Sequence, residues 1–371
     1  MNPKSKRNPA LDLIRCLALF CVAGVHFFLY NGFYEEAVSG IAMYLLTILR
    51  MAMMICVPLF LLLSGWLCRT RELKKGYFGK IRQILVIYIL ASLCCGAFNA
   101  LLMAVFQHEL LSPREILCGI LSYDTAPYGW YVEMYIGLYC LIPFLNVLYN
   151  NLKSRQEKLT LIAVFLFLTA LPDVCNIHQF SGLGWWLQPS SSEEYTQLLP
   201  SYWTLTYPLT YYFIGCYLSE YPITIKRSRH LALTLLSLVL SGSFAFYRSR
   251  GSGFLWGRWQ EYSSLLVLIP SVLVFSWLAG LDLSGLGSKI RRILARCSDL
   301  TFGAYLVSWI FDKFFYLLLD NIQPTPLFRF LWFPVVVPLI CLCSLCLSGI
   351  LQWIYSGLSR HSKPKVSPQP Q

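Results

Sequence analysis

Long runs of apolar residues alternate with short polar segments along most of this chain. A helix needs about 20 mainly apolar residues to cross the hydrocarbon core of a bilayer. Ten runs reach or approach that length, and the fifth and sixth are the shortest. They lie at residues 10–31, 41–67, 82–106, 129–149, 158–173, 203–219, 230–247, 262–281, 300–320 and 328–355. The pattern predicts an all-α, polytopic integral membrane protein with about ten transmembrane helices.

The positions of the basic residues test this helix count independently. If the segments between the runs alternate between the two sides of a membrane, one set of segments contains 22 of the 30 Lys and Arg residues. The opposite set contains only Arg114, Arg248, Arg250 and Arg258. Basic loops stay on the cytoplasmic side of a membrane, so the bias predicts that both termini are cytoplasmic.

The composition agrees with a membrane protein and excludes other classes. The chain is 57% hydrophobic and 13% charged, whereas a soluble domain carries roughly a quarter charged residues. The net charge of +12 does not predict nucleic-acid binding, because the basic residues form short clusters between apolar runs. Most cysteines lie inside the apolar runs, where they behave as small apolar residues. The sequence has no CxxC pair with a matching set of histidines, so it does not predict a metal site.

The organisation along the chain predicts one membrane-embedded domain over residues 1–361. The first apolar run follows Lys4, Lys6 and Arg7 and has no small-residue cleavage site after it, so we expect a retained helix. The last segment, 362–371, is polar and Pro-rich, which predicts a disordered cytoplasmic tail.

The first predicted helix carries three ionisable residues, Asp12, Arg15 and His26. The spacing of Arg15 and His26 leaves them about 20° apart around the helix and ~16 Å apart along it. Both therefore project from one face, and Asp12 lies one turn from Arg15 on nearly the same side. Ionisable groups inside a bilayer are usually functional. The alternative is a histidine that bonds a neighbouring helix and an arginine that snorkels to lipid phosphates.

Several segments resemble, in the expected order, the membrane-bound acyltransferase-3 family. The signature of the family's opening helix, a basic residue, ten others and then His, falls on Arg15 and His26. Its later serine and R-x-R fall on Ser64, Arg69 and Arg71. The segments are 11–26 (LDLIRCLALFCVAGVH), 57–67 (VPLFLLLSGWL), 129–145 (GWYVEMYIGLYCLIPFL), 211–218 (YYFIGCYL) and 299–311 (DLTFGAYLVSWIF).

The resemblance implies a ten-helix core that transfers an acyl group from cytoplasmic acyl-CoA to an extracytoplasmic acceptor. Acceptors in the family are typically hydroxyls of surface glycans or lipid-linked sugars, and the acyl group is usually acetyl. We therefore expect an O-acyltransferase of a bacterial cytoplasmic membrane. The resemblance implies acyl-CoA, in most of the family acetyl-CoA, as co-substrate. We expect the lipid bilayer to surround the protein, and we expect no tightly bound cofactor or metal.

Two residues are expected to be catalytic, His26 and Glu133. Histidine exchanges protons readily near neutral pH, so His26 is the candidate general base for the acceptor hydroxyl. Glu133 lies one turn from Trp130 near the outer end of the fourth predicted helix. There it could orient His26, bind a sugar hydroxyl or, alternatively, only reach interfacial water.

Four residues are expected to bind the donor: Arg15, Arg69, Arg71 and Ser64. Guanidinium groups bind phosphate through two parallel hydrogen bonds, which suits the headgroup of CoA. Ser64 ends the second predicted helix just before Arg69 and Arg71 on the cytoplasmic side. The alternative for each arginine in this loop is an ordinary topology charge.

Five more residues are expected in acceptor or supporting roles: Asp12, Arg50, Trp130, Tyr305 and Ser308. Arg50 could pair with Glu133 or stabilise an oxyanion. Tyr305, Ser308 and Asp312 share one face of the ninth predicted helix. Relatives often carry His where this chain has Ser308, so we expect this protein to differ from them in substrate or rate.

A second class of function also fits buried charges and a basic cytoplasmic face. A non-enzymatic transporter or flippase of a polar lipid, sugar or amino acid would need both. The two classes differ in one respect that can be measured, because an acyltransferase binds CoA and a transporter is indifferent to it.

Overall fold

The computed structural model describes residues 7–108, 112–179, 183–187 and 195–361, and within these ranges the chain forms helices and loops without a strand. The α-helices in these ranges are α1 (Pro9–Tyr30), α2 (Gly40–Met53), α3 (Cys56–Cys68), α4 (Gly79–Leu102), α5 (Pro113–Leu121), α6 (Trp130–Asn151), α7 (Arg155–Thr169), α8 (Pro172–Cys175), α9 (Gly184–Leu187), α10 (Tyr207–Glu220), α11 (Arg227–Ser249), α12 (Leu265–Ala279), α13 (Ser288–Ile322), α14 (Pro326–Arg329) and α15 (Phe333–His361). The predicted tail, 362–371, lies outside the described residues.

The prediction of an all-α polytopic membrane protein is confirmed. Within the described ranges, eight helical segments are long and apolar enough to cross a membrane. Each of the ten predicted runs contains a helix, but α7 and α10 have only 15 and 14 residues. They are shorter than the roughly 20 residues of a full span. Short helices are tolerated at membrane depth where protein surrounds their ends, and α10 is buried along most of its length.

Proline explains why the second predicted run is two helices. The run is interrupted at Met54 and Ile55, between α2 and α3. Pro58 lies in the first turn of α3, and its ring occupies the space of the carbonyl group four residues earlier, that of Met54. The regular hydrogen bonding of the helix is therefore interrupted there, although Met54 and Ile55 keep helical backbone angles and Gly40–Cys68 forms one candidate membrane span.

Two glycines bring α3 and α10 into direct backbone contact. A Cβ atom on Gly65 would lie 2.0 Å from the carbonyl oxygen of Tyr212, and one on Gly215 would lie 2.2 Å from that of Leu62. Close approach of helices through small residues is the usual device for packing inside a membrane. The glycine that follows Ser64 is therefore explained by the crossing of two helices.

The outer surface of the bundle is apolar. Large hydrophobic side chains with no neighbour to cover them occur on several helices, among them Leu101, Phe144, Leu342 and Trp353. Water-soluble monomers rarely expose large contiguous apolar patches. The surface therefore fits a lipid environment.

The candidate site is built on α1 and α13, which pack against each other near the middle of the bundle. α13 has 35 residues and is about 52 Å long, well beyond the ~30 Å hydrocarbon core. Its basic first turns, which include Arg291, Arg292 and Arg296, extend on the predicted cytoplasmic side. Its outer half carries Tyr305, Ser308 and Asp312 beside the outer half of α1.

Candidate active site

A cavity of about 520 Å³ lies between α1, α3, α4, α6 and α13. Its volume falls in the range of roughly 300–1,000 Å³ that is typical of small-molecule sites. Arg15, Arg71, Lys80 and Arg296 line the part on the predicted cytoplasmic side. The cavity is therefore basic at the end that the cytosol would reach.

Two acidic residues near the cavity mouth, Asp12 and Asp299, share an ion pair with Arg7. Its guanidinium donates to both carboxylate oxygens of Asp12 at 2.7 Å and to both of Asp299 at 2.9 Å. The hydrogen bonds with Asp12 and Asp299 raise the pKa of Arg7 above its ordinary value. Arg15 lies 3.9 Å from Asp12 and donates to the hydroxyl of Ser298 at 3.2 Å. Among the described residues, Arg71, Lys80 and Arg296 have no carboxylate partner and Arg15 has only the 3.9 Å pair with Asp12, so positive charge remains for an anionic ligand.

The loop that carries Arg71 is fixed by a buried amide. Asn146, on α6, donates from Nδ2 to the carbonyl oxygens of Cys68 and Arg71, both at 2.7 Å. Its Oδ1 accepts from the hydroxyl of Tyr212 at 2.7 Å. The last turn of α3 and the following residues are thereby held against α6 and α10, and Arg71 lines the cavity.

The structure does not bring Arg69 to the cavity with Arg71. One of its Nη atoms lies 3.4 Å from a carboxylate oxygen of Glu220. Lys158, which is buried, donates to both oxygens of the same carboxylate at 2.8 Å. Arg69 thus belongs to an ion-pair cluster that ties α3, α7 and α10 together.

Towards the outer side the cavity wall becomes apolar and then aromatic. Val22, Val57 and Phe60 line the middle part, and Tyr131, Tyr135 and Tyr305 are also lining residues. Ser64 lines the cavity too, although its hydroxyl donates to the carbonyl oxygen of its own helix at Phe60, at 2.9 Å. A ligand in this part would meet hydrocarbon and tyrosine rings.

His26 lies beside a buried carboxylate on α13. Its Nδ1 lies 3.3 Å from Oδ2 of Asp312, which is within ion-pair distance. The geometry of this contact is not that of a hydrogen bond. Asp312 is 1% exposed, and it also accepts from the hydroxyls of Tyr128 at 2.6 Å and Tyr316 at 3.1 Å. The His26 side chain is 13% exposed, and its ring stacks on Tyr128 at a centroid distance of 3.7 Å. The imidazole therefore faces protein, with Nδ1 towards Asp312.

A layer of tyrosines separates this pair from the cavity. Tyr305 lines the cavity and donates its hydroxyl to the carbonyl oxygen of Tyr128. The ring of Tyr128 stacks in turn on the imidazole of His26. His26 itself does not line the cavity. The rings of Tyr131 and Tyr305 also contact each other, at 5.7 Å between centroids. His26 and Arg15 share a helix face, as expected, but the tyrosine rings lie between the imidazole and the basic pocket.

Three of the other expected residues, Glu133, Trp130 and Arg50, make none of their described contacts with His26. Glu133 is exposed in the first turn of α6. The residue beside the imidazole is Asp312, not Glu133. Trp130 is partly exposed and stacks on Tyr262. Arg50 is fully buried and does not pair with Glu133, because its contacts are aromatic rings and a methionine.

Ser308 is buried one turn before Asp312 and donates to the carbonyl oxygen of Tyr305 at 2.9 Å. Its hydroxyl is thus satisfied within its own helix. Asp12 accepts hydrogen bonds from Arg7 at the start of α1.

Asp312 lies on the helix face predicted for it, but the sequence did not predict a role for Asp312, Tyr128 or Asn146. A carboxylate in an apolar run is the signal that pointed to Asp312, and an amide within the run 129–149 could have pointed to Asn146. Tyr128 had no signal, because it lies in a loop between two predicted helices. Among the described residues, no three His, Cys, Asp or Glu side chains are grouped so that they could hold a metal ion.

Comparison with known proteins identifies the family of this architecture. Residues 8–352 match the family model Acyl_transf_3, described as an acyltransferase domain. No curated protein and no solved structure matches the chain. The matched range contains α1, the whole basic cavity and the outer part of α13 with Asp312. The chain therefore belongs to the acyltransferase-3 family and is a multi-pass membrane acyltransferase.

Proposed function

We propose that the protein transfers an acyl group, most simply acetyl, from cytoplasmic acyl-CoA to a hydroxyl of an extracytoplasmic carbohydrate or lipid-linked sugar. The observation that carries this proposal is the arrangement along α1 and α13. A basic cavity lies at one end, and an imidazole paired with a buried carboxylate lies near the other. The proposed membrane is the cytoplasmic membrane of a bacterium.

The cytoplasmic part of the cavity is the proposed donor site. Arg71 and Arg15 would bind phosphate oxygens of CoA through their guanidinium forks, and Lys80 and Arg296 would add positive charge. The pantetheine arm would follow the apolar middle of the cavity towards Tyr305. Arg69 is not assigned to the donor in this proposal, because its partner is Glu220.

His26 is the proposed general base. Its Nδ1 faces Asp312, which leaves Nε2 for the acceptor hydroxyl. As the hydroxyl oxygen attacks the thioester carbonyl carbon, its proton passes to Nε2, the carbon–sulfur bond breaks and the proton is then returned to the thiolate of CoA. The carboxylate of Asp312 would stabilise the imidazolium that forms between these two proton transfers.

The tyrosine layer would control access to His26 in this mechanism. It would keep water and the donor thioester away from His26 until a rearrangement of Tyr128 or Tyr305 joins the cavity to the imidazole. Active sites that handle reactive acyl groups commonly exclude water in this way. The acceptor would then approach from the outer side, near the end of α1.

Two measurements test the proposal against the transporter alternative. Surface glycans and lipid-linked sugars of cells with and without the protein are compared by mass spectrometry, and acyl-modified species are expected only in cells that contain it. Purified protein is also titrated with CoA by calorimetry, and a transporter would show no binding. The proposal fails if the glycans are identical in both cell types and CoA does not bind.

A further inference from the structure

A buried arginine outside the donor cavity has unused hydrogen-bonding capacity. Arg50, in the last turn of α2, is 0% exposed. Its Nε donates to the hydroxyl of Tyr34 at 3.2 Å, and its Nη1 has only the sulfur of Met51, at 3.1 Å. Its Nη2 is buried without a hydrogen-bond partner. The terminal edge of the guanidinium therefore contacts no oxygen acceptor.

The surroundings of Arg50 form an aromatic cage that reaches the outer surface. The guanidinium carbon lies 5.0 Å from the ring centroids of both Phe254 and Trp256 and 5.9 Å from that of Tyr34. Trp256 stacks on Tyr34, and 57% of Trp256 is exposed. Its indole contacts the guanidinium on one side and the exterior on another, so it is the cover of the cage.

The charge of Arg50 is not matched by a carboxylate in contact with it. Among the described residues, no acidic side chain lies within ion-pair distance of its guanidinium. Glu261 is close enough to interact with Arg50 electrostatically, but it is exposed and makes no direct pair. Aromatic faces attract a cation, yet they do not supply the oxygen acceptors that a buried guanidinium lacks.

We propose that Arg50 is an anion-recognition site for the acceptor, which binds a phosphate or carboxylate group through the free Nη1–Nη2 edge when the Trp256 cover moves aside. This inference rests on the proposed function, since it makes the acceptor an anionic glycan or a phosphate-linked sugar. An oxyanion fits because a guanidinium edge and a phosphate or carboxylate form two parallel hydrogen bonds. The site lies in the outer half of the bundle, apart from the basic cytoplasmic cavity.

The test uses full-length protein in detergent and three probes: glucose 1-phosphate, glucuronate and uncharged glucose. Binding is followed by thermal shift over a range of probe concentrations. Both anionic sugars are expected to bind at least tenfold more tightly than glucose, because hydrogen bonds between two charged groups are stronger than those to a neutral hydroxyl. Arg50→Gln is expected to lose that preference, and Lys313→Gln, which alters another cation held over a tyrosine ring, is expected to keep it.

The proposed anion site is overturned if wild type and Arg50→Gln bind the anionic sugars equally. It is also overturned if saturating CoA displaces these probes, which would place them in the cytoplasmic cavity. If Arg50→Gln does not fold, Glu261→Gln replaces it: removal of the competing carboxylate should tighten anion binding several-fold, and unchanged or weaker binding contradicts the site. A protein that binds the anionic sugars through Arg50 but not CoA would contradict the proposed function alone.

Discussion

At the scale of single residues, the carboxylate of Asp312 is the most constrained group of the site. It lies in a membrane helix, and a buried carboxylate without partners is costly. Tyr128 and Tyr316 each donate a hydroxyl to it, and His26 lies beside it. These contacts surround the carboxylate with hydroxyl donors and hold it beside the imidazole, whose orientation and protonated state we propose it stabilises.

Replacement of Asp312 tests this orienting role. Asp312→Asn keeps the shape of the side chain but removes the charge that stabilises the imidazolium, so we expect the rate of acyl transfer to fall by about a hundredfold or more. Affinity for CoA should stay within twofold of wild type. Initial rates measured across a pH series check the prediction. Asp320→Asn, on the same helix and paired with Arg329, is the matched control, and equal rates for both variants would contradict the role of Asp312.

The two arginines of the R-x-R segment should differ in function. Arg71→Ala is expected to weaken CoA binding at least tenfold, since a charge-assisted hydrogen bond contributes about 1.5–3 kcal/mol. Arg69→Ala should leave CoA affinity unchanged and lower the free energy of unfolding by under about 1 kcal/mol, because its ion pair with Glu220 is partly exposed. Calorimetric titration with CoA checks both variants, and the reverse order of effects would contradict the donor site.

The different contacts of Arg69 and Arg71 could not be predicted from the sequence. Arg69 and Arg71 are equivalent in the family motif, but one pairs with Glu220 and the other lines the cavity. The choice between them depends on Asn146, a residue far along the chain that fixes the backbone of the loop. The face shared by Arg15 and His26 was predictable because it follows from helix geometry alone.

At the scale of elements, the contact between α3 and α10 determines how the proposed donor side is assembled. Gly65 and Gly215 allow the two backbones to approach. The sulfhydryl of Cys216 then donates to the carbonyl oxygen of Gly65 at 3.4 Å. Since Ser64 precedes Gly65 and lines the cavity, the same crossing sets the position of one cavity wall.

A methyl group at this crossing should separate the helices. Gly65→Ala and Gly215→Ala are each expected to lower the free energy of unfolding by about 1–3 kcal/mol, as overpacked sites usually do. Gly137→Ala, on α6 and free of neighbours within 4 Å, should change it by less than about 1 kcal/mol, since alanine favours helix. Denaturation in detergent provides the measurement. Indistinguishable stabilities for all three variants would show that the two helices are not in close contact.

At the scale of the whole molecule, the helical content and its placement were predictable because apolar runs of membrane length have few alternatives to helix. The short lengths of α7 and α10 were visible as the two shortest runs. The break at Met54 was not predicted, although Pro58 was its local cause. The tyrosine layer could not be predicted, because it combines rings from α6, α13 and the loop before α6.

The predicted orientation has a direct test in an exposed cysteine. Cys118, on α5, is exposed and lies in a predicted extracytoplasmic segment. A membrane-impermeant maleimide added to intact spheroplasts should label the protein, and Cys118→Ser should remove that label. Labelling of Cys118 only in inverted vesicles would reverse the orientation and place the basic cavity on the wrong side for cytoplasmic CoA.

The central claim is that His26 accepts the proton while the acyl group crosses from a cytoplasmic donor to an outer acceptor. Inverted membrane vesicles from producing cells expose the cytoplasmic face to added radiolabelled acetyl-CoA. We predict label in luminal glycan or lipid-linked sugar with wild type and with His230→Gln, which alters the buried histidine on α11, but none with His26→Gln at equal protein level. Equal labelling with His26→Gln would contradict the account.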